Sequence, residues 1–138
     1  RGAIFGLTRN TSISEIVKAT LDSIAFQTEE LIEKMQKESK TKIKEMRVDG
    51  GMINNENFIQ SLSNVLQINV IKPHNIETTA LGAAYLAGIN SGILKNTNSI
   101  INLWKTDRIY KPKIKKYKLN EEILRWKKAV KLLIKFHS

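Results

Sequence analysis

Hydrophobic positions in the first part of the chain recur at the spacing of an α-helix. They predict one long helix that ends near Lys37, with an apolar stripe made of Ile13, Ile16, Val17, Thr20, Leu21, Ile24, Thr28, Leu31, Ile32 and Met35. Ser12 and Glu15 have the spacing of a capping box, in which each side chain accepts a hydrogen bond from the other residue's backbone N–H. The charged residues are expected mostly on the solvent face: Glu15, Lys18, Glu29, Glu30 and Lys34.

Short apolar runs on either side of later helical patterns predict strands. Residues 2–7 are apolar and bracketed by glycines, which favours a strand or a loop leading into the first helix. Residues 46–48 predict a buried strand that enters the pair Gly50-Gly51. Residues 68–71 predict a second strand, ended by Pro73 because proline lacks a backbone N–H.

Helical spacing returns after the glycine pair. Asn54 or Asn55 can cap the second helix, because a short amide side chain reaches the free N–H groups of a first turn. Its predicted apolar stripe is Phe58, Ile59, Leu62, Val65 and Leu66. A third helix over residues 78–91 is rich in Gly and Ala. Gly82 in its interior predicts close packing, since glycine there costs about 1 kcal/mol, and Gly92 is expected to end this helix.

The last part of the chain is basic. Residues 93–118 are expected to be irregular, and residues 120–136 predict a final helix. Its apolar stripe is Ile123, Trp126, Ala129, Val130 and Leu133, and its polar-facing residues are Arg125, Lys127, Lys128, Lys131 and Lys135. We expect this helix to pack on the domain. Docking on a membrane surface is the alternative that basic amphipathic helices allow.

The glycine pair is the candidate binding feature. Two adjacent glycines let the backbone turn sharply and approach a flat ligand closely, because neither carries a Cβ. The following helix start would add free N–H groups and the positive end of a helix dipole. The order of strand, glycine turn and helix is therefore compatible with a nucleotide-binding site. Such a turn can also simply connect a strand to a helix without binding a ligand.

Composition narrows the class of protein. A chain of 138 residues with 41% hydrophobic residues can build a core. It contains no cysteine, which excludes disulfides and thiol catalysis. No apolar run approaches the roughly 20 residues that cross a bilayer, and the first residues lack a signal-peptide pattern. We therefore expect a soluble cytoplasmic protein.

The net charge of +10 is concentrated in the tail. From Lys105 onward there are 12 Lys or Arg against 3 Asp or Glu, whereas the preceding residues hold 11 against 10. Such a tail can help to bind phosphate backbones or anionic membrane. A solvated surface is the expected role, because the charge is confined to an appendage and is not built into a binding face.

The sequence shows no recognisable set of catalytic or metal-binding residues. His74 and His137 lie far apart without a ligand cluster, so each is expected to be a surface or loop residue. Asp49 precedes the glycines and can bind a metal through water, but a bond from its side chain to turn N–H groups is the expected role. We predict no catalytic residue and no metal ligand in this chain.

Several spaced blocks resemble the carboxy-terminal part of the carbohydrate kinase family that holds glycerol, gluconate and xylulose kinases. Residues 2–7, Glu15-Ile16 and Ala19-Thr20-Leu21-Asp22 resemble that family's second signature. The blocks that look specifically like glycerol kinases are Gly6-Leu7-Thr8-Arg9, Ile24-Ala25-Phe26-Gln27-Thr28, Arg47-Val48-Asp49-Gly50-Gly51, Thr79-Ala80-Leu81-Gly82-Ala83-Ala84-Tyr85-Leu86-Ala87-Gly88 and Trp126-Lys127-Lys128-Ala129-Val130. The resemblance covers essentially the whole chain.

The resemblance implies an α/β fold: the second lobe of a ribonuclease H-like ATPase of the actin and hexokinase type. Residues 1–104 would be the nucleotide-binding part of that lobe, and residues 105–138 a basic tail and terminal helix packed on it. The Gly50-Gly51 turn would contact adenosine, with the Gly51 backbone and the Asn55 side chain touching the nucleoside of ATP or ADP. Magnesium would be bound mainly by residues outside this chain.

The same resemblance places the catalytic aspartate, the glycerol-binding groups and the phosphate loops upstream of this segment. The expected partner is therefore the N-terminal kinase lobe, with glycerol bound through it, in a full-length protein that forms a homo-oligomer. The chain alone is expected to be inactive. Alternatives are a non-catalytic binding or regulatory lobe and a kinase of another polyol or sugar. A nucleic-acid binder is disfavoured because Trp104, Tyr110 and Tyr117 form no evident stacking platform.

Overall fold

The computed structural model describes residues 2–138 and has the mixed α/β architecture that the sequence predicts. Arg1, the first residue of the predicted nucleotide-binding segment, lies outside the described residues. The elements follow in the order α1 (Ile13–Ser39), β1 (Glu45–Arg47), a 3-10 helix (Gly51–Asn54), α2 (Glu56–Leu66), β2 (Asn69–Pro73), α3 (Thr78–Asn90), α4 (Thr97–Leu103), β3 (Thr106–Tyr110) and α5 (Lys116–His137).

Within residues 2–138 the three strands form one sheet in the order β1-β2-β3. β1 runs parallel to β2, with Met46 opposite Val70, and β3 runs antiparallel on the other side of β2. Because parallel strands place their carboxyl ends at one edge of a sheet, the loop after β1 and the loop after β2 lie side by side. The loop after β1 carries the glycine pair.

The expectation that the strand before the glycines is buried is wrong. β1 is the edge strand of the sheet formed by residues 2–138, and both Glu45 and Arg47 are exposed. Only Met46 is half-buried, and it packs on the core. The short apolar run identified the strand, but burial depends on neighbouring strands that a local pattern does not report.

The capping box at the start of α1 is confirmed. The Glu15 carboxylate accepts from the Ser12 backbone N–H at 2.7 Å, and the Ser12 hydroxyl accepts from the Glu15 N–H at 3.4 Å. The backbone N–H of Ser12, followed by its hydroxyl, lowers the pKa of the Glu15 carboxyl. Residues 2–7 before the helix are a loop, and Ile4, Phe5 and Leu7 are exposed there.

The core lies between α2, the sheet and one face of α1. The predicted stripe of α2 is confirmed, since four of its residues are buried and Leu66 is partly buried against them. The buried core residues are Ala25, Ile53, Phe58, Ile59, Leu62, Val65, Val70 and Tyr110. Removing large apolar side chains from water in this way is the main source of stability.

α1 buries a narrower stripe than its sequence predicts. Ala25 is fully buried and Leu21 and Ile24 are partly buried, because this part of the helix lies on α2. Four apolar residues of the predicted stripe are exposed: Ile13, Val17, Leu31 and Met35. These four residues form an exposed apolar surface along α1.

α3 has the predicted extent but not the predicted packing. None of its residues is buried, and nothing lies within 4 Å of a Cβ placed on Gly82. The close packing expected at Gly82 is therefore absent from residues 2–138. Gly92 ends the helix as predicted, with φ +77 and its N–H donating to the Ile89 carbonyl.

The expectation of irregular structure over residues 93–118 is wrong. This range contains α4, β3 and the first residues of α5. Buried and exposed residues do not alternate along β3, because only Tyr110 of its five residues is buried. Its strand conformation comes from pairing with β2, which pattern reading does not detect.

α5 packs against α1 through its predicted stripe. Ile123 is buried, and the Trp126 ring stacks on Phe26 with 5.8 Å between the ring centroids. Lys127 lies 2.8 Å from the Glu33 carboxylate and 3.9 Å from that of Glu29. Glu29 is therefore not on the solvent face as expected: its side chain is 13% exposed, and burial raises its pKa. Among residues 2–138, no helix is both long and apolar enough to span a bilayer.

Candidate functional site

The glycine turn follows directly on β1. The Val48 N–H donates to the Ile71 carbonyl at 3.2 Å and so continues the parallel pairing beyond Arg47. Gly50 then has φ +84, a left-handed conformation that glycine adopts without strain. A Cβ on Gly50 or Gly51 would meet nothing within 4 Å. The turn is therefore open, and no neighbouring residue fills it.

A 3-10 helix that the sequence did not predict begins at the second glycine, Gly51. The Ile53 N–H donates to the Gly50 carbonyl at 3.3 Å, and the Ile53 side chain is 2% exposed. This buried side chain fixes the turn to the core. α2 begins at Glu56, directly after the two asparagines expected to cap it. The two adjacent apolar residues Met52 and Ile53 could have indicated that this turn is attached to the core.

Asn55 caps α2, as one of the two residues expected to do so. Its Oδ1 accepts a hydrogen bond from the Phe58 N–H at 3.1 Å. Within the described residues its Nδ2 group donates no hydrogen bond, and the residue is exposed. The cap fixes the orientation of the amide, so that Nδ2 remains available as a donor at the surface beside the glycine turn.

Asp49 has a different partner from the one expected. Its Oδ2 accepts a hydrogen bond from the Thr78 hydroxyl, at the first residue of α3. The expected bond from the Asp49 side chain to the turn's own N–H groups is absent from the described residues. Thr78 was missed because no local pattern links it to a residue 29 positions earlier.

The residues that the sequence singled out as a binding site do lie together. Gly50, Gly51 and Asn55 fall within one turn, and Asp49 and Thr78 connect this turn to the start of α3. In α/β folds, ligands bind at the carboxyl ends of strands, which is where this turn lies. His74 is exposed after β2. Over residues 2–138, no group of three or more His, Asp or Glu side chains lies together as a metal site would require.

A larger concavity lies beside this turn and does not include it. A cavity of about 440 Å³ between α2 and β3 is lined by Glu56, Asn57, Gln60, Arg108, Ile109, Tyr110, Lys111 and Lys113. Glu56 pairs there with Arg108 at 2.7 Å. Gly50 and Gly51 do not line this cavity, and the space beside them is open.

Comparisons with known proteins identify close relatives. A glycerol kinase from Alkaliphilus metalliredigens is 42% identical over 136 residues, which cover 99% of this chain and 27% of that relative. The crystal structure of Plasmodium falciparum glycerol kinase with ADP has 33% identity and a TM-score of 0.82, covering 94% of this chain and 26% of that one. The chain therefore spans about a quarter of the length of these relatives.

The fold prediction is confirmed by these comparisons. A xylulose kinase from Lactobacillus acidophilus, 21% identical, also matches over 99% of this chain and 26% of its own length, with a TM-score of 0.69. The fold is thus that of a sugar-kinase lobe of the actin and hexokinase type. The family model described as "FGGY family of carbohydrate kinases, C-terminal domain" matches residues 1–91. The chain therefore belongs to the FGGY family of carbohydrate kinases.

Proposed function

We propose that this chain is the C-terminal, ATP-binding part of a glycerol kinase. The complete enzyme would transfer the γ-phosphoryl group of ATP to glycerol and give glycerol 3-phosphate. The observation that carries the proposal is the open glycine turn after β1: Gly50 has φ +84, and a Cβ on either glycine would meet nothing within 4 Å. The 42% identity to a glycerol kinase supports glycerol over other sugars and polyols as the substrate.

The nucleoside of ATP or ADP would lie against the Gly50-Gly51 turn. Its contacts would be the Gly51 backbone and the Asn55 Nδ2 group. Two features support this assignment. The glycine turn is open, and the Asn55 amide is held by the 3.1 Å hydrogen bond that its Oδ1 accepts from the Phe58 N–H. A relative of 33% identity was crystallised with ADP. Residues 1–104 would thus be the nucleotide-binding part of the lobe, and residues 105–138 would pack on it.

The phosphoryl-transfer groups would come from the rest of the kinase. Phosphoryl transfer depends on positioning and on charge stabilisation around the transferred group. Magnesium would be bound mainly by residues there. The chain covers 27% of the relative from Alkaliphilus metalliredigens. We therefore expect the 138 residues alone to show no ATP-dependent phosphorylation of glycerol, and turnover by them would refute this part.

The N-terminal kinase lobe is the proposed partner. α1 exposes apolar residues, and α3 buries none of its residues. Exposed apolar patches mark interaction surfaces, so these two helices support a contact with that lobe. The complete kinase would be a cytoplasmic homo-oligomer.

Titration calorimetry with ADP tests the proposal. We expect saturable binding to the chain and at least about a tenfold loss in the variant Gly51→Val, because an added side chain fills the approach to the turn. Gly2→Val is the matched control, since a Cβ there also meets nothing within 4 Å but lies far along the chain. Equal affinity of Gly51→Val and the parent chain would overturn the nucleotide assignment.

A further inference from the structure

One side-chain hydrogen bond joins the glycine turn to α3, and its proposed role rests on the proposed nucleotide function. The Thr78 hydroxyl donates to Oδ2 of Asp49, the residue directly before Gly50. Thr78 is the first residue of a helix that buries none of its side chains. The bond is therefore a connection between α3 and the turn and not a by-product of close packing.

The loop that presents Thr78 is itself fixed by hydrogen bonds. The His74 N–H donates to the Lys105 carbonyl at 2.9 Å, at the end of β2. The Glu77 N–H donates to Oδ1 of Asn75 at 2.9 Å. These two bonds constrain the four residues between β2 and α3, the segment that presents the Thr78 hydroxyl to Asp49.

The alternative partner of Asp49 is the turn itself. An aspartate side chain readily accepts a hydrogen bond from the backbone N–H two residues further on, which here is the N–H of Gly51. In the described residues the Gly51 N–H makes no hydrogen bond. A carboxylate that captured this N–H would remove a donor from the proposed nucleoside surface and would place a negative charge on it.

We propose that Thr78 is a positioning residue for nucleotide binding. Its hydroxyl holds the Asp49 carboxylate on the α3 side of the turn and so leaves the Gly51 N–H free to face the ligand. Thr78 does not touch the nucleotide; it acts through Asp49.

The test compares Thr78→Val, which removes the hydroxyl at nearly constant volume, with Thr78→Ser, which retains it. Thr79→Val is the matched control, because Thr79 is the exposed neighbour and makes no bond to the turn within residues 2–138. We expect Thr78→Val to weaken ADP binding about 3- to 10-fold, the effect of one hydrogen bond. Thr78→Ser and Thr79→Val should bind ADP as the parent does. Equal affinity of Thr78→Val and the parent would overturn the proposal, as would equal losses in Thr78→Val and Thr78→Ser.

Second-site rescue separates positioning from a general structural role. Because the released carboxylate is the cause of the loss, Asp49→Ala in the Thr78→Val background should restore part of the affinity. A further loss in the double variant would overturn the proposal.

A measurement on the chain without ADP tests the role of Thr78 separately from the proposed nucleotide binding. The NMR temperature coefficient of the Gly51 amide proton should show a free amide in the parent chain and a hydrogen-bonded one in Thr78→Val. If the parent chain binds no ADP, the proposed function fails while this readout still decides the role of Thr78. An unchanged Gly51 amide in Thr78→Val overturns the inference.

Discussion

The ring of Phe26 stacks on the ring of Trp126, with centroids 5.8 Å apart and planes inclined by 30°. These residues join α1 to α5, elements from opposite ends of the chain. Aromatic pairs in this arrangement contribute about 0.5–1.5 kcal/mol beyond the area that they bury. The stacked pair thus fixes the basic terminal helix to the lobe, as the apolar stripe of α5 predicted.

Truncation of this pair should loosen α5. We expect Trp126→Ala to lower the free energy of unfolding by about 2 kcal/mol, less than for a fully buried aromatic because Trp126 is half-buried. Urea unfolding followed by circular dichroism measures the change. Tyr117→Ala on the exposed side of the same helix is the control and should change stability by less than about 0.5 kcal/mol. Equal effects of the two variants would contradict the packing of α5.

The ion pair between Lys127 and Glu33 predicts a pH dependence. The hydrogen bond from Lys127 lowers the pKa of Glu33. A carboxyl with a lowered folded-state pKa stabilises the protein above its unfolded pKa, and this stability is lost as the pH falls through the folded value. Glu33→Gln should therefore cost about 0.5 kcal/mol or less at pH 7, because the pair is exposed.

The measurement is the melting temperature of Glu33→Gln and of the parent chain between pH 7 and pH 3. The difference should shrink as the pH falls through the lowered folded-state pKa of Glu33, because the carboxylate is then protonated in the parent. Glu38→Gln, at an exposed residue of α1 that forms no ion pair within residues 2–138, should show no such trend. A difference that grows towards low pH would contradict the lowered pKa of Glu33.

Asn64 should hold the segment before α5 in place. Its Oδ1 accepts from the Lys113 N–H at 2.7 Å and from Nε2 of Gln60 at 3.2 Å, and the residue is 8% exposed. Asn64→Ala removes the acceptor of the Lys113 N–H and should cost about 0.5–1.5 kcal/mol, the net contribution of one hydrogen bond. Hydrogen exchange at the Lys113 amide should accelerate in this variant. Asn57→Ala, exposed on the same helix, should leave the exchange rate unchanged.

Leu86 on α3 should contribute to association and not to the stability of this chain. It is 69% exposed, so Leu86→Lys should change the free energy of unfolding by less than about 0.5 kcal/mol. The same variant should weaken capture of the N-terminal three quarters of the Alkaliphilus metalliredigens glycerol kinase in a co-purification experiment. Leu124→Lys on α5, 66% exposed, is the control. Equal capture by both variants would contradict the proposal that the N-terminal lobe contacts α3.

Local features were predictable from the sequence because their partners lie within one or two turns. The capping box of Ser12 and Glu15 and the Asn55 cap of α2 are formed by residues three apart. The apolar stripe of α2 was also correct, since this helix lies at the centre of the core: four of the five positions are buried and Leu66 is partly buried.

The features that sequence reading missed depend on distant partners. β3 became a strand through pairing with β2, and its sequence shows a single buried residue, Tyr110. β1 proved to be an edge strand, and α1 exposed half of its stripe, because burial is decided by what packs outside each element. Gly50, Gly51 and Asn55 were predicted as nucleoside contacts from local pattern and resemblance. The Thr78 contact to Asp49 was not predicted, because it spans 29 positions.

Adenosine is proposed to contact the open glycine turn, and NMR mapping tests this contact most directly. On titration of the chain with ADP, the backbone amides of Gly50 and Gly51 and the side-chain amide of Asn55 should shift in a saturable manner. Amides that line the cavity between α2 and β3, such as those of Gln60 and Lys111, should shift less. Shifts confined to that cavity, or no shifts at saturating ADP, would contradict a nucleotide site at the glycine turn.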